Sequence, residues 1–243
     1  MLRESLGLFR SVSAPGARPV PPVYREAVLA AVPVWYLRLE DEAPTTAIAD
    51  AVGAYSWTAY NGPTLGVPGA VGRAVEFAIP GQRIEAAAGH FDETQTGDFS
   101  LVLWYRSTLP SGTLRYLFSN RLVPGQQGVT LYQSAADELV FSATIGVDST
   151  VINLGSHDTG GAWRMVAVTA NRGAGVVVYL DGVAAANDPA FRVSSSLPTA
   201  SVAAIGARPT TTSNGYRGQI DEAAGFGRTL SAREVAALYR LAQ

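Results

Sequence analysis

The chain holds few residues that could do covalent or metal chemistry. It has 20 acidic residues, two histidines and no cysteine. Carboxylates that stand together include Glu40-Asp41-Glu42, Asp137-Glu138 and Asp221-Glu222. Neighbours in an extended chain point to opposite faces, so none of these runs by itself offers two carboxylates to one cleft. A retaining glycosidase needs such a pair about 5 Å apart. A dyad drawn from two separate strands stays open. Ser156, His157 and Asp158 are consecutive, and adjacent residues cannot set a base against a nucleophile with a third group behind it. With only His90 besides His157, a histidine-rich metal site is excluded. The absence of cysteine also removes disulfides, thiolate metal sites and thiol nucleophiles.

Binding chemistry is better supplied. Sugar recognition needs aromatic faces for C–H groups and polar side chains for hydroxyls. Tyr55, Trp57 and Tyr60 stand close together ahead of Asn61-Gly62, and Asn214, Tyr216 and Arg217 lie in the polar stretch 210–218. These six are the candidate ligand-binding residues. All 18 basic residues are arginine, which reads as a GC-rich coding bias, and the net charge of −2 argues against a nucleic-acid surface.

The elements that must position these residues are mostly strands. Across 243 residues, 47% of them hydrophobic, there is material for a full core without a staple. Short candidate strands separated by Gly, Pro, Asn and Asp run from residue 34 to 228, the pattern of an antiparallel sandwich. Within 99–106, Phe99, Leu101, Leu103 and Tyr105 alternate with Ser100, Val102, Trp104 and Arg106, so both faces carry large apolar groups. Asp181-Gly182 supplies a tight hairpin turn. Residues 24–31 fit a short helix that ends before Pro33. Ser231 and Glu234 form a capping-box pattern ahead of a helix with Val235, Leu238 and Tyr239 on one stripe. Residues 1–22 carry Arg3, Arg10, Arg18 and four prolines and read as an extended arm. No segment has 18 consecutive apolar residues, and the N-terminus lacks the apolar stretch of a secretory signal.

The order of blocks resembles LamG-like, concanavalin A-like jelly-roll domains, in particular those of phage minor tail proteins. The similarity runs from about Tyr24 to Leu241. Its most specific parts are Trp163–Gly182 (W-R-M-V-A-V-T…Y-L-D-G) and Gly218–Tyr239 (G-Q-I-D-E…L-S-A-R-E-V-A-A-L-Y). The resemblance implies an all-β, two-sheet antiparallel jelly roll over 31–243, with an arm and short helix at 1–30 for anchoring and short terminal helices. It implies that Trp35, Trp104 and Trp163 are core residues. It also implies a non-enzymatic virion surface protein, a minor tail or decoration component, multicopy, held by its arm to other virion proteins and displaying the jelly roll to cell-surface glycans. A purely structural decoration protein, a cellular carbohydrate-binding module and a diverged hydrolase are the alternatives. Jelly-roll glucanases similar to this fold carry E-x-D-x-x-E on one strand, and this string is missing here. Relatives often hold one calcium ion between an early loop and the Asp of the last strand. The matching residues are Asp41, Asp50 and Asp221, although Asp50-Ala-Val-Gly-Ala-Tyr55 lacks the Ser and Asn oxygens of the family loop.

Overall fold

A computed structural model of the chain describes residues 23–87, 97–107, 112–121, 127–145, 148–157, 159–191, 202–211 and 213–243. The arm at 1–22, His90 and Asp158 lie outside these residues. Two eight-stranded antiparallel sheets face each other. Sheet A runs β14 (Val183–Asp188), β13 (Gly175–Leu180), β12 (Arg164–Asn171), β7 (Phe99–Ser107), β16 (Gly218–Phe226), β5 (Arg73–Phe77), β4 (Thr64–Pro68), with β1 (Trp35–Leu37) also on β16. Sheet B runs β11 (Asp148–Ser156), β10 (Glu138–Ile145), β9 (Gly128–Gln133), β8 (Arg115–Ser119), β15 (Ala204–Ile205), β6 (Arg83–Ala86), β3 (Trp57–Tyr60), β2 (Ala47–Ile48). No helix among the described residues is long and apolar enough to cross a membrane.

The core between the sheets takes alternate side chains wherever a strand is regular. On β7 it takes Phe99, Leu101, Leu103 and Tyr105, while Val102 and Trp104 belong to a second apolar cluster on the outer face of sheet A. That is the two-sided pattern the alternation predicts. Two helices cover the outer cluster: α1 (Tyr24–Ala30) and α2 (Ala232–Leu241). Tyr24 and Val28 are buried there, so α1 is part of the sandwich, whereas the sequence groups it with the arm. The α2 cap forms as read, with the Ser231 side chain accepting from the Glu234 N–H and Glu234 reaching back to Ser231. The β13–β14 turn places Asp181 at φ +49° and Gly182 at φ +80°, the left-handed pair a tight hairpin requires. Trp35 and Trp104 are core residues. Trp163 is only partly buried, with Arg106 5.3 Å from its ring centre.

One irregularity matters for the site. Along β16, Ile220 and Ala223 both lie in the inter-sheet core, with two residues between them. Strict alternation would send Asp221 and Glu222 to opposite faces. The register against β7 shifts between Asp221 and Ala224, and Glu222 takes φ +48°. The bulge turns both carboxylates to the outer side of sheet A.

Candidate functional site

The gathered carboxylates form a buried cluster beneath α1. Asp221 and Glu222 are both fully buried. Asp221 Oδ2 accepts from the Val71 N–H at 2.9 Å, in a loop where a side chain at Gly69 would run into that same oxygen. Glu222 accepts from the Tyr36 hydroxyl and faces Arg38 Nε at 3.5 Å, and Arg38 Nη2 donates to Glu40 at 2.8 Å. Burial raises Glu222 from 4.5 to about 7, against the opposing pull of Tyr36 and Arg38. Burial, then the charge of Glu222, holds Asp221 well above the usual carboxylate range. Arg38 thus stands between two carboxylates, Glu40 and Glu222.

Asp41, Asp50 and Asp221 do not converge on a metal cradle. Asp50 spends its oxygens on the N–H groups of Tyr36, Val52 and Tyr55 at 2.9, 3.0 and 3.2 Å, which fixes the loop that follows β1. Asp41 caps the Ala49 N–H at 3.1 Å. Among the described residues no group of three acidic or histidine side chains is placed to hold a metal ion. Calcium takes six to eight oxygens, and here a guanidinium occupies the acidic cluster.

The six candidate ligand residues separate. Trp57 is 2% exposed and packs on Trp35 at 5.2 Å between ring centres, so it offers no face to a sugar. Tyr216 is fully buried, its hydroxyl 3.3 Å from Ser107 Oγ between the sheets. Strand phase carries Trp57 inward, whereas Tyr216 precedes β16 and is drawn in by its N–H bond to the Gly206 carbonyl. Tyr55 packs half-buried against the same core. Tyr60 is exposed, with Arg83 4.5 Å from its ring centre. Asn214 and Arg217 come together. With Pro80, Thr113, Ser213 and Gly215 they line a cavity of about 250 Å³. Neither side chain makes a hydrogen bond or ion pair among the described residues.

A second constellation lies on the outer face of sheet B. Tyr116 of β8 and Tyr132 of β9 are cross-strand partners with ring centres 5.8 Å apart. Arg208, just after β15, lies 5.4 Å from the Tyr116 ring centre. Arg121, just after β8, donates to Thr144 at 2.9 Å and to the Gly128 carbonyl at 3.0 Å. Burial lowers the Arg121 guanidinium and Arg208 adds repulsion. Burial raises Tyr116, with the two arginines opposing. The sequence signal for this group was period-two placement of Tyr116 and Tyr132, but Arg121 and Arg208 follow strand ends, where no period applies.

The two-sheet sandwich with its helix-covered outer face defines a jelly-roll domain. Residues 81–236 match the concanavalin A-like lectin/glucanases superfamily, and the chain belongs to it. No curated protein sequence matches the chain. Among solved structures, domain 4 of AbnA, an extracellular GH43 arabinanase of Geobacillus stearothermophilus solved with arabinotriose, is similar. Its TM-score is 0.67 at 17% identity, over 87% of this chain and 98% of that one. The binding domain of botulinum neurotoxin DC, solved with SialylT and with rat synaptotagmin II, has a TM-score of 0.68 at 14% identity, over 87% of this chain and 52% of that one. The chain spans about half the length of these toxin domains. At such identity the likeness is one of fold.

Proposed function

We propose that this chain is a non-catalytic glycan-binding domain, carried in several copies on a virion surface and attached through residues 1–22. The observation that carries the binding reading is the cavity of about 250 Å³ at Asn214 and Arg217. Two side chains with unused hydrogen-bonding groups border a recess too small for an extended ligand and suited to a sugar ring or two. The likeness to a domain solved with arabinotriose supports the same ligand class. A non-catalytic role is supported by where the paired carboxylates sit. Asp221 and Glu222 are buried under α1, and neither lines the cavity of about 210 Å³ bounded by Arg38, Glu40 and Asp41. The virion setting rests on the resemblance to phage tail domains.

A glycan array probed with the full chain tests the binding reading. Binding to at least one neutral oligosaccharide class is expected. Arg217→Ala and Asn214→Ala should each weaken it about tenfold, equal to 1.4 kcal/mol, with unchanged melting. Silence across the whole array would overturn it. Mass spectrometry of purified particles tests the virion setting, and a chain absent from particles overturns that part.

A further inference from the structure

We propose that the outer face of sheet B carries an oxyanion subsite, in which Arg208 and Arg121 clamp the acid group of a carboxylated or sulfated sugar beside Tyr132. The inference rests on the glycan-binding reading above and adds a ligand class and a second location to it.

The charge arrangement points to this ligand. Arg208 is 8% exposed, yet its Nε and Nη1 are buried without a hydrogen-bond partner. Its contact is with the face of Tyr116, and it has no ion pair among the described residues. Arg121 likewise has no ion pair there, and its Nε is buried without a partner. Desolvated guanidiniums without a counter-charge are unfavourable, and the penalty is relieved when an anion arrives. Carboxylates near this face are engaged elsewhere. Glu85 binds Arg83 and the Thr210 N–H, and Glu138 accepts from Ser134 Oγ. The tyrosines cannot serve as counter-ions: a phenol is neutral at pH 7, and burial raises both further.

One nitrogen of each guanidinium, Arg208 Nη2 and Arg121 Nη1, lies outside the buried or already bonded set, so the two arginines together can take the two oxygens of one carboxylate or sulfate. Thr144 holds Arg121 in place through its Nη2, and the face of Tyr116 orients Arg208, so both donors are pre-positioned. Tyr132 is only half-buried and gives a sugar ring an apolar surface beside the charge. Two guanidiniums in a chain of net charge −2 are too few for a nucleic-acid track.

The test is titration calorimetry of the full chain with three oligosaccharides sharing one backbone: neutral, uronate and sulfated. At least one acidic form is expected to bind ten times more tightly than the neutral form. Arg208→Gln and Arg121→Gln should abolish that advantage, and Arg233→Gln, an exposed arginine of α2 on the other sheet, should leave it intact. If the glutamine variants fail to fold, the wild type still decides: free glucuronate or sulfate should compete, and glucose should not. Preference for uronate or for sulfate identifies the acid group, and either supports the subsite. Equal binding of neutral and acidic forms, or an advantage that persists in Arg208→Gln, overturns it while leaving the glycan reading standing. An acidic peptide bound through Arg208 when no acidic sugar binds also overturns it. Binding of none of the three, with a silent array, defeats the glycan reading as well.

Discussion

Trp57 and Tyr60 lie on one four-residue strand, and period two separates them: Trp57 with Ala59 goes to the core, Tyr60 to the outer face. Aromatics at both phases of 55–60 hide that choice in the sequence. Tyr216 was likewise misplaced by its polar neighbours, which surround a side chain that closes the core. The carboxylates were visible as an adjacent pair, but their shared burial was not. Their environment makes a prediction about pH. Glu222 has its folded value raised from 4.5 to about 7, so the folded chain binds more protons than the unfolded chain between those values. Its contribution to stability is full below pH 4.5 and is lost as pH rises through about 7, an effect on the order of 3 kcal/mol. Asp221, also raised, acts in the same direction. Denaturant melts of wild type from pH 5 to 8 should therefore show falling stability. Glu222→Gln keeps an acceptor for Tyr36 and should flatten that fall, leaving the variant the more stable chain at pH 8. A metal chelator should shift neither curve, since Arg38 supplies the local positive charge. Parallel curves for the two proteins would refute the account.

Elements with strong periodicity or strong terminal signals were legible, and short or irregular ones were not. The β7 alternation, the Asp181-Gly182 hairpin and the α2 capping box each follow from a local rule, and each forms. The two-residue β2 and the five-residue β4 pair at sheet edges and carry too few apolar positions to show a period in the sequence. The β16 bulge was missed because nothing in Ile-Asp-Glu-Ala specifies an extra residue; the shift is set by pairing with β7. Helix α2 offers a direct measurement. Ser231 caps it, and Glu234 binds Arg228, which in turn donates to the Ala31 carbonyl at the end of α1. Cap and helix-to-helix tie thus share one carboxylate, held down at about 2 chiefly by the Arg228 hydrogen bond. Ser231→Ala should cost about 1 kcal/mol, and a thermal melt at pH 7 should fall by about 2–4 °C. Glu234 contributes above pH 4.5 and loses its contribution as pH falls toward 2. An unchanged melt in Ser231→Ala would mean that packing of Val235 and Leu238, not the cap, holds α2.

At the scale of the whole molecule, the two sheets differ in what they leave open. Both terminal helices lie over sheet A, converting its outer face into a second core. No helix among the described residues covers the outer face of sheet B, and recognition is proposed there and at the Asn214–Arg217 recess. A recess of about 250 Å³ admits little ligand, so a single site should bind weakly, near a Kd of ~1 mM. Weak sites gain from repetition, and linking copies multiplies apparent affinity by roughly 10²–10⁴ when geometry allows simultaneous contact. The proposed particle setting supplies such repetition, and the arm at 1–22 is the proposed means of attachment. The full chain immobilised at high density should hold a multivalent glycan surface at least a hundredfold more tightly than the same chain free in solution holds the monovalent sugar. Removing residues 1–22 should leave monovalent affinity unchanged and abolish incorporation into particles. Equal binding by dense and free chains would show that affinity resides in one deep site. Incorporation without the arm would move the attachment surface onto the sandwich itself.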